Sequence, residues 1–148
     1  MIELLLAQQS RQLDKQRKWL EHSLRRCRAI GIKEEYTVDE YGAFETLGAR
    51  FGRTIDFLVR KLYRTLDRYE FEDQGSLIDT VNRAHKRGLF DDIERLREMK
   101  DLRNTLVHEY VEEKLAETFE ELLEYTPELL EICDRSLDYI RSHLEPKK

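Results

Sequence analysis

The chain has 148 residues, of which 40% are hydrophobic and 39% are charged, with 6 Gly and 2 Pro. This balance suits one domain of amphipathic helices and argues against disorder or a sheet-rich fold. No apolar run approaches the roughly 20 residues of a membrane span, and the first residues turn polar too soon for a signal peptide. Cys27 and Cys133 form neither a CxxC pair nor a zinc pattern, so we expect reduced thiols, no metal or cofactor, and a cytoplasmic protein.

The net charge of −5 argues against a simple nucleic-acid-binding protein, but the charges are unevenly placed. Residues 109–148 carry 12 acidic and 5 basic side chains, whereas residues 1–108 carry 19 acidic and 21 basic ones. A modest overall charge can therefore conceal a local basic face.

Two long helices are predicted in the first half of the chain. Residues 2–29 keep mostly three- and four-residue apolar spacing, and Gly31 follows as a C-terminal cap. A capping box opens the second helix, with Thr37 as N-cap and Glu40 at its third position, and the pattern runs to about residue 69. Gly48 lies on its apolar face, where another helix can approach closely. The other members of that face are Phe44, Phe51, Ile55, Leu58, Leu62 and Leu66.

The opposite side of the second helix is a cationic face. At ~100° per residue, its members fall within an arc of about 100° on the helical wheel. They are Arg50, Arg53, Phe57, Arg60, Lys61, Arg64 and Arg68. Because cations bind phosphates and rings stack on bases, this pattern predicts an RNA-binding surface. The alternative is a solvated face that pairs with the acidic segment downstream, and no base-specific element decides between them.

Shorter helices are predicted in the second half. One begins with Ser76 as N-cap and ends at Gly88, and the next begins with Asp91 as N-cap and runs to about residue 111. The inner face of the first of these two helices is predicted to be Leu77, Ile78, Val81 and Ala84.

A final helical stretch is predicted from about residue 114 to residue 143. Pro127 interrupts it, either as a kink or as a restart capped by Thr126, because proline costs little at the first position of a helix. Its C-terminal half should bury Leu130, Cys133, Leu137 and Ile140. Together the elements predict an all-α antiparallel bundle of about five to six helices, in a single domain over residues 1–148.

The helix that begins near residue 91 carries a group of polar residues. Arg103, Asn104, His108 and Tyr110 lie within two turns. On the wheel, Arg103 and Tyr110 lie near the middle of the apolar stripe, whereas Asn104 and His108 share its flank one turn apart. A core histidine should lie on the stripe, and a surface histidine has no reason to share a face with an amide. The pattern therefore favours a functional histidine over one that only packs in the core or lies at the surface. For Tyr110, a functional role and a role as a core or interface residue both stay open.

The spacing Arg-x4-His-x-Tyr is formed by Arg103, His108 and Tyr110, with Asn104 after the arginine and Glu109 after the histidine. It resembles the motif of the HepT-like branch of the HEPN superfamily, and the helical pattern over most of the chain fits that family. The resemblance implies an all-helical homodimer in which two motifs meet at an interface cleft. It also implies a metal-independent endoribonuclease toxin, encoded beside a minimal nucleotidyltransferase that acts as its antitoxin.

The resemblance further assigns roles. Arg103 would hold the scissile phosphate, His108 would be the acid or base, and Asn104 would orient one of them. RNA cleavage by the 2′-hydroxyl needs both a base and an acid, and one chain supplies a single motif histidine, so a two-fold dimer would supply both. In the family, the nucleotidyltransferase silences the toxin by adding AMP to the tyrosine that corresponds to Tyr110.

Two other functions stay open at this point. HEPN relatives also serve as non-catalytic partner or substrate-binding subunits of nucleotidyltransferases, and the acidic final helices could dock such a partner. The third possibility is a dimeric helical scaffold. The intact Arg-x4-His-x-Tyr spacing favours the ribonuclease.

Overall fold

Helices form every regular element in residues 1–72, 75–108 and 115–144. These are the residues that the computed structural model describes, apart from the side chains of 107, 108 and 144. The elements are α1 (Ile2–Ile30), α2 (Val38–Phe57), a π-helical turn (Leu58–Leu62), α3 (Tyr63–Tyr69), α4 (Leu77–Lys86), α5 (Ile93–His108) and α6 (Leu115–Leu144). The predicted all-α class is confirmed. Among the helices of the described chain, none is both long enough and apolar enough to cross a bilayer.

Capping side chains start the helices largely where the sequence predicts. The Glu40 amide donates to Thr37 Oγ1 at 3.1 Å, and the Thr37 amide donates to Glu40 Oε1 at 2.9 Å, which completes the capping box of α2. Ser76 caps α4 as predicted. The predicted cap of α5 is wrong by one residue, because Asp92 Oδ1 accepts from the amide of Glu94, the second residue of that helix, at 2.8 Å.

Pairwise contacts show an antiparallel arrangement around α2. Arg50 of α2 donates to Ser23 in the second half of α1, whereas Gln9 in the first half of α1 lies beside α3. On the other side, α5 runs back along α2, since Leu106 lies at Gly48 and Arg103 lies one turn further along. The helix α6 packs on α1, α2 and α5. This order places Arg103 of α5 beside the C-terminal half of α2.

The core is built from the predicted apolar faces. All six residues predicted for the inner face of the second helix are buried, as are the four predicted for the end of α6. One prediction for α4 is wrong, because Ile78 is 72% exposed and Thr80 is buried in its place. The face of so short a helix is set by its neighbours, and here Thr80 and Ala84 point inward. Both cysteines are free and buried, and burial raises the pKa of Cys27 to about 11 and of Cys133 to about 12.

Two features of the long helices differ from expectation. The second predicted helix does run to Tyr69, but it passes through a π-helical turn that apolar periodicity did not reveal. The last helix continues through Pro127 without a break, so a restart there is wrong. Thr126 is buried in the helix and donates its hydroxyl to the Leu122 carbonyl at 2.5 Å instead of acting as a cap.

Buried polar contacts join α3 to α4 and α6. The carboxylate of Asp67 is almost fully buried and accepts from Arg83 at 3.1 Å and from Arg87 at 2.8 Å. The hydroxyl of Tyr63 lies 3.0 Å from that of Ser136. Because Ser136 Oγ already donates to a backbone carbonyl, Tyr63 donates to it. Burial is the main cause that raises the pKa of Tyr63 far above its usual range.

The Tyr63–Ser136 contact predicts an ordered pair of stability losses. We expect Ser136→Ala to lower the free energy of unfolding by about 1–3 kcal/mol, because the buried tyrosine hydroxyl is left without a partner. Tyr63→Phe removes donor and bond together and should cost only about 0.5–1.5 kcal/mol. Urea denaturation at neutral pH measures both, and a Ser136→Ala loss no larger than that of Tyr63→Phe would contradict the assignment.

Candidate functional site

The motif arginine is held in one orientation by two neighbours. Arg103 donates from Nε and Nη2 to the same oxygen of Asp56, at 3.1 and 2.7 Å, and from Nη1 to Asn104 Oδ1 at 3.1 Å. The side chains of Arg103 and Asp56 are 29% and 34% exposed. The guanidinium is therefore oriented at the surface and still open to solvent. Its described partners use three of its five N–H groups.

A glycine in α2 makes this placement possible. A Cβ at Gly52 would lie 3.1 Å from Cγ of Arg103, closer than most real contacts of that kind. At Gly48 the corresponding distance is 3.4 Å, to the side chain of Leu106. The predicted close approach at Gly48 is confirmed. The tighter one at Gly52 was missed, although it lies one turn along the same helix.

Asp56 is the other residue of this site that sequence reasoning missed. It lies on α2 one turn beyond Gly52, and its second carboxylate oxygen is 4.0 Å from Nε of Arg60. The available signal was a single acid four residues before Arg60, at the margin of a basic run. Such a residue is usually only an intrahelical partner, and its contact with Arg103 depends on how α5 packs.

The other motif residues are described less completely. Asn104 is exposed and lies one turn before His108, the last residue of α5. Five residues of helix rise separate Arg103 from His108 along the axis, about 7.5 Å. The side chain of His108 and the whole of Tyr110 lie outside the described residues. The structure thus brings together Arg103, Asn104 and Asp56, and the predicted roles of His108 and Tyr110 stay predictions.

The cationic face is smaller than predicted. Phe57 is only 6% exposed, so its prediction as an accessible stacking ring is wrong. The wheel places it among the cations, but the ring belongs to the hydrophobic core, where burial is favoured over contact with water. The cations that are exposed are Arg53, Arg60, Lys61, Arg64 and Arg68.

Arg50, the first member of the predicted face, is engaged with α1 instead. Its Nη1 donates to the Trp19 carbonyl at 3.0 Å and to Ser23 Oγ at 2.7 Å, and its guanidinium lies 5.6 Å from the centre of the Trp19 ring. It is therefore a packing residue and not a free cation.

The alternative explanation of the basic face, pairing with the acidic C-terminal segment, is not seen among the described residues. There, acids of α6 pair with other helices: Asp134 with Arg17 of α1, and Glu128 with Arg95 of α5. The hydrogen bonds that Arg17 donates to Asp134 and Arg95 donates to Glu128 are the largest causes that raise the pKa of these two arginines above the usual range. The acidic segment thus holds α1 and α5 to α6.

No group of three or more His, Cys, Asp or Glu side chains is arranged to hold a metal ion in the part of the chain that the structure describes. Comparisons with models of protein families, with curated proteins and with solved structures found no match. A function for this chain therefore has to be argued from its own residues and their contacts.

The partial exposure of the Asp56–Arg103 pair predicts that it orients more than it stabilises. A double-mutant cycle with Asp56→Asn and Arg103→Gln should give a coupling of at most about 1 kcal/mol in chemical denaturation, because water screens such a pair. A coupling above about 2 kcal/mol would instead make the pair a main support of the bundle.

Proposed function

We propose that this chain is an endoribonuclease that cleaves RNA with Arg103 and His108. The observation that carries the proposal is the Arg103 guanidinium, which Asp56 and Asn104 orient at the surface of the same helix that ends at His108. The spacing Arg-x4-His-x-Tyr and its resemblance to HepT-like proteins add support. Two guanidinium N–H groups without a described partner suit a phosphate oxygen, which accepts planar, paired donors.

The reaction needs no group beyond the RNA and these side chains. The ribose 2′ oxygen attacks the adjacent phosphorus while a base takes its proton. The bond from phosphorus to the 5′ oxygen breaks, and an acid protonates that oxygen, which leaves a 2′,3′-cyclic phosphate and a free 5′-hydroxyl. Histidine suits both proton transfers because its pKa lies near neutral pH. Arg103 would stabilise the charge that builds on the phosphorane.

The two proton transfers lead us to propose a homodimer. One chain supplies one motif histidine, and a two-fold axis would place a second His108 across the cleft at the dimer interface. The proposal includes a minimal nucleotidyltransferase that transfers AMP from ATP to the Tyr110 hydroxyl oxygen, with release of pyrophosphate and of the hydroxyl proton. The added AMP would crowd the interface cleft and carry negative charge to the place where the RNA phosphate must bind. In this setting the chain is the toxin and the nucleotidyltransferase its antitoxin.

One observation also supports the second candidate, a non-catalytic subunit that binds a nucleotidyltransferase or its substrate. Arg103 already has a carboxylate partner in Asp56. If the guanidinium of Arg103 stays in that ion pair, the arginine contributes only to the packing of α5 on α2 and does not bind RNA. The two candidates differ in whether the free chain cleaves RNA.

The ribonuclease predicts that two single substitutions remove cleavage. We expect His108→Ala and Arg103→Ala each to reduce cleavage of single-stranded RNA at least 100-fold in buffer with EDTA, because each removes a group needed in the transition state. Labelled RNA resolved on gels measures the rate and the cyclic phosphate end.

His22→Ala is the matched control, since His22 is an exposed histidine on α1. Circular dichroism and sedimentation check fold and dimer. Full activity in His108→Ala, or a monomeric wild-type protein, would contradict the composite site. A stable complex with the nucleotidyltransferase and no cleavage by the free chain would support the second candidate.

A glycine pair gives an independent prediction. Gly52→Ala should lower cleavage at least tenfold, because the new methyl group displaces Cγ of Arg103 and with it the guanidinium. Its melting temperature should change little, since alanine raises helix propensity by about 1 kcal/mol and offsets the tighter contact. Gly48→Ala is the control on the same face, where the neighbour is Leu106. Equal cleavage by both variants would contradict the role of Gly52.

A further inference from the structure

A groove of about 360 Å³ lies where the first half of α1 passes the π-helical turn and α3. We call it the α1–α3 groove. Its cationic wall is Arg60, Lys61, Arg64 and Arg68, and its remaining lining is Leu5, Gln9, Thr65, Asp67 and Thr80. The groove is distinct from the Arg103 site but continuous with it, because Arg60 and Arg103 share the carboxylate of Asp56.

Three of the four cations of this groove are not neutralised by their neighbours, and Arg60 is only 4.0 Å from the Asp56 carboxylate that it shares with Arg103. Within the described chain, no ion pair involves Lys61, Arg64 or Arg68, whereas Arg17, Arg87 and Arg95 are all paired. The one acid in the lining, Asp67, is almost fully buried and committed to two arginines of the neighbouring segment. The groove therefore presents net positive charge to an anionic ligand.

A neutral group in the same groove also lacks a partner. Gln9 is only 8% exposed, and its amide oxygen is buried without a hydrogen bond. Buried polar side chains are nearly always hydrogen-bonded, so an unpaired amide oxygen on a residue that lines a groove indicates a ligand group that completes it. The amide oxygen of Gln9 needs a hydrogen-bond donor, and an ionised phosphate diester has none.

We propose that the α1–α3 groove binds the ribose–phosphate backbone of single-stranded RNA. Lys61, Arg64 and Arg68 bind the phosphates, and the Gln9 side chain rotates so that its buried amide oxygen accepts a hydrogen bond from a ribose 2′-hydroxyl. That hydroxyl is a donor beside a phosphate, and it is the group by which a protein distinguishes RNA from DNA. The inference rests on the proposed function for its choice of RNA as the substrate, but it can be tested without cleavage.

The position of the groove gives it a role beside the Arg103 site. Arg60, Arg64 and Arg68 follow one another at one helical turn, and twelve residues separate Asp56 from Arg68, which is about 18 Å along the axis. An RNA backbone bound along this line would extend for several nucleotides from Arg103. The groove would thus hold the strand next to the bond that is cut.

The test is a binding experiment in the His108→Ala background, so that no RNA is cleaved. Fluorescence anisotropy compares a labelled single strand of about ten nucleotides as RNA, as DNA of the same sequence, and as fully 2′-O-methylated RNA. We expect RNA to bind about three- to tenfold more tightly than the other two. Gln9→Leu should remove that difference by weakening RNA alone.

Gln16→Leu is the matched control, because its amide oxygen is also buried without a partner on α1 but does not line the groove. Arg64→Glu should weaken all three ligands and flatten their salt dependence, whereas Arg28→Glu, an exposed arginine elsewhere on α1, should not. Equal affinity for RNA and DNA in the protein that carries only His108→Ala, or no binding to either, would overturn the proposal. So would a Gln9→Leu effect that DNA shares or that Gln16→Leu reproduces.

These outcomes separate the groove from the proposed function. RNA-selective binding that depends on Gln9, in a chain whose wild-type form cleaves nothing, would keep the groove and remove the ribonuclease. Cleavage that depends on His108, together with RNA binding that does not depend on Gln9, would keep the ribonuclease and remove the groove.

Discussion

The close approach of α5 to α2 at Gly52 is the constraint on which the candidate site depends. Without a Cβ at this position, Arg103 can lie against the backbone of α2, one turn along from the contact of Leu106 with Gly48. That contact brings Arg103 within reach of Asp56, and Asp56 then orients the guanidinium. A larger residue at Gly52 would move the arginine off its partner, so the geometry of a polar site here is decided by an apolar packing contact.

The π-helical turn that follows α2 helps to form a second surface, the α1–α3 groove. The extra residue per turn allows Phe57, Leu58 and Val59 to be buried in succession, while Arg60 and Lys61 stay exposed side by side. A straight helix would instead set an aromatic ring among the cations. The turn therefore separates what one amphipathic pattern would have mixed, the buried apolar side chains and the cationic wall of the α1–α3 groove.

Charge is distributed in the bundle according to burial. The buried carboxylate of Asp67 is paired by Arg83 and Arg87, which holds α4 on α3. On α6, partly exposed acids pair with α1 and α5. These pairs engage Asp134 and Glu128 with other helices, and in the described chain Lys61, Arg64 and Arg68 of the α1–α3 groove have no carboxylate partner. An acidic protein can in this way keep a local basic surface.

The sequence by itself determined the helical class, most helix bounds, the caps at Thr37 and Ser76, and nearly all of the core, because these depend on local spacing and capping chemistry. It also brought Arg103, Asn104 and His108 onto one helix. Only the tertiary structure decided that Phe57 and Thr80 are buried, that Ile78 is exposed, and that Arg50 is engaged with α1.

The partners of Arg103 belong to the second group as well. Asp56 and Gly52 are 47 and 51 residues away in the chain, and nothing in their local pattern indicates which helix will pack on them. The same holds for Gln9, whose unsatisfied amide becomes visible only when α1 is laid beside α3. Spacing along a helix specifies which side chains share a face, and the packing of another helix specifies what that face contacts.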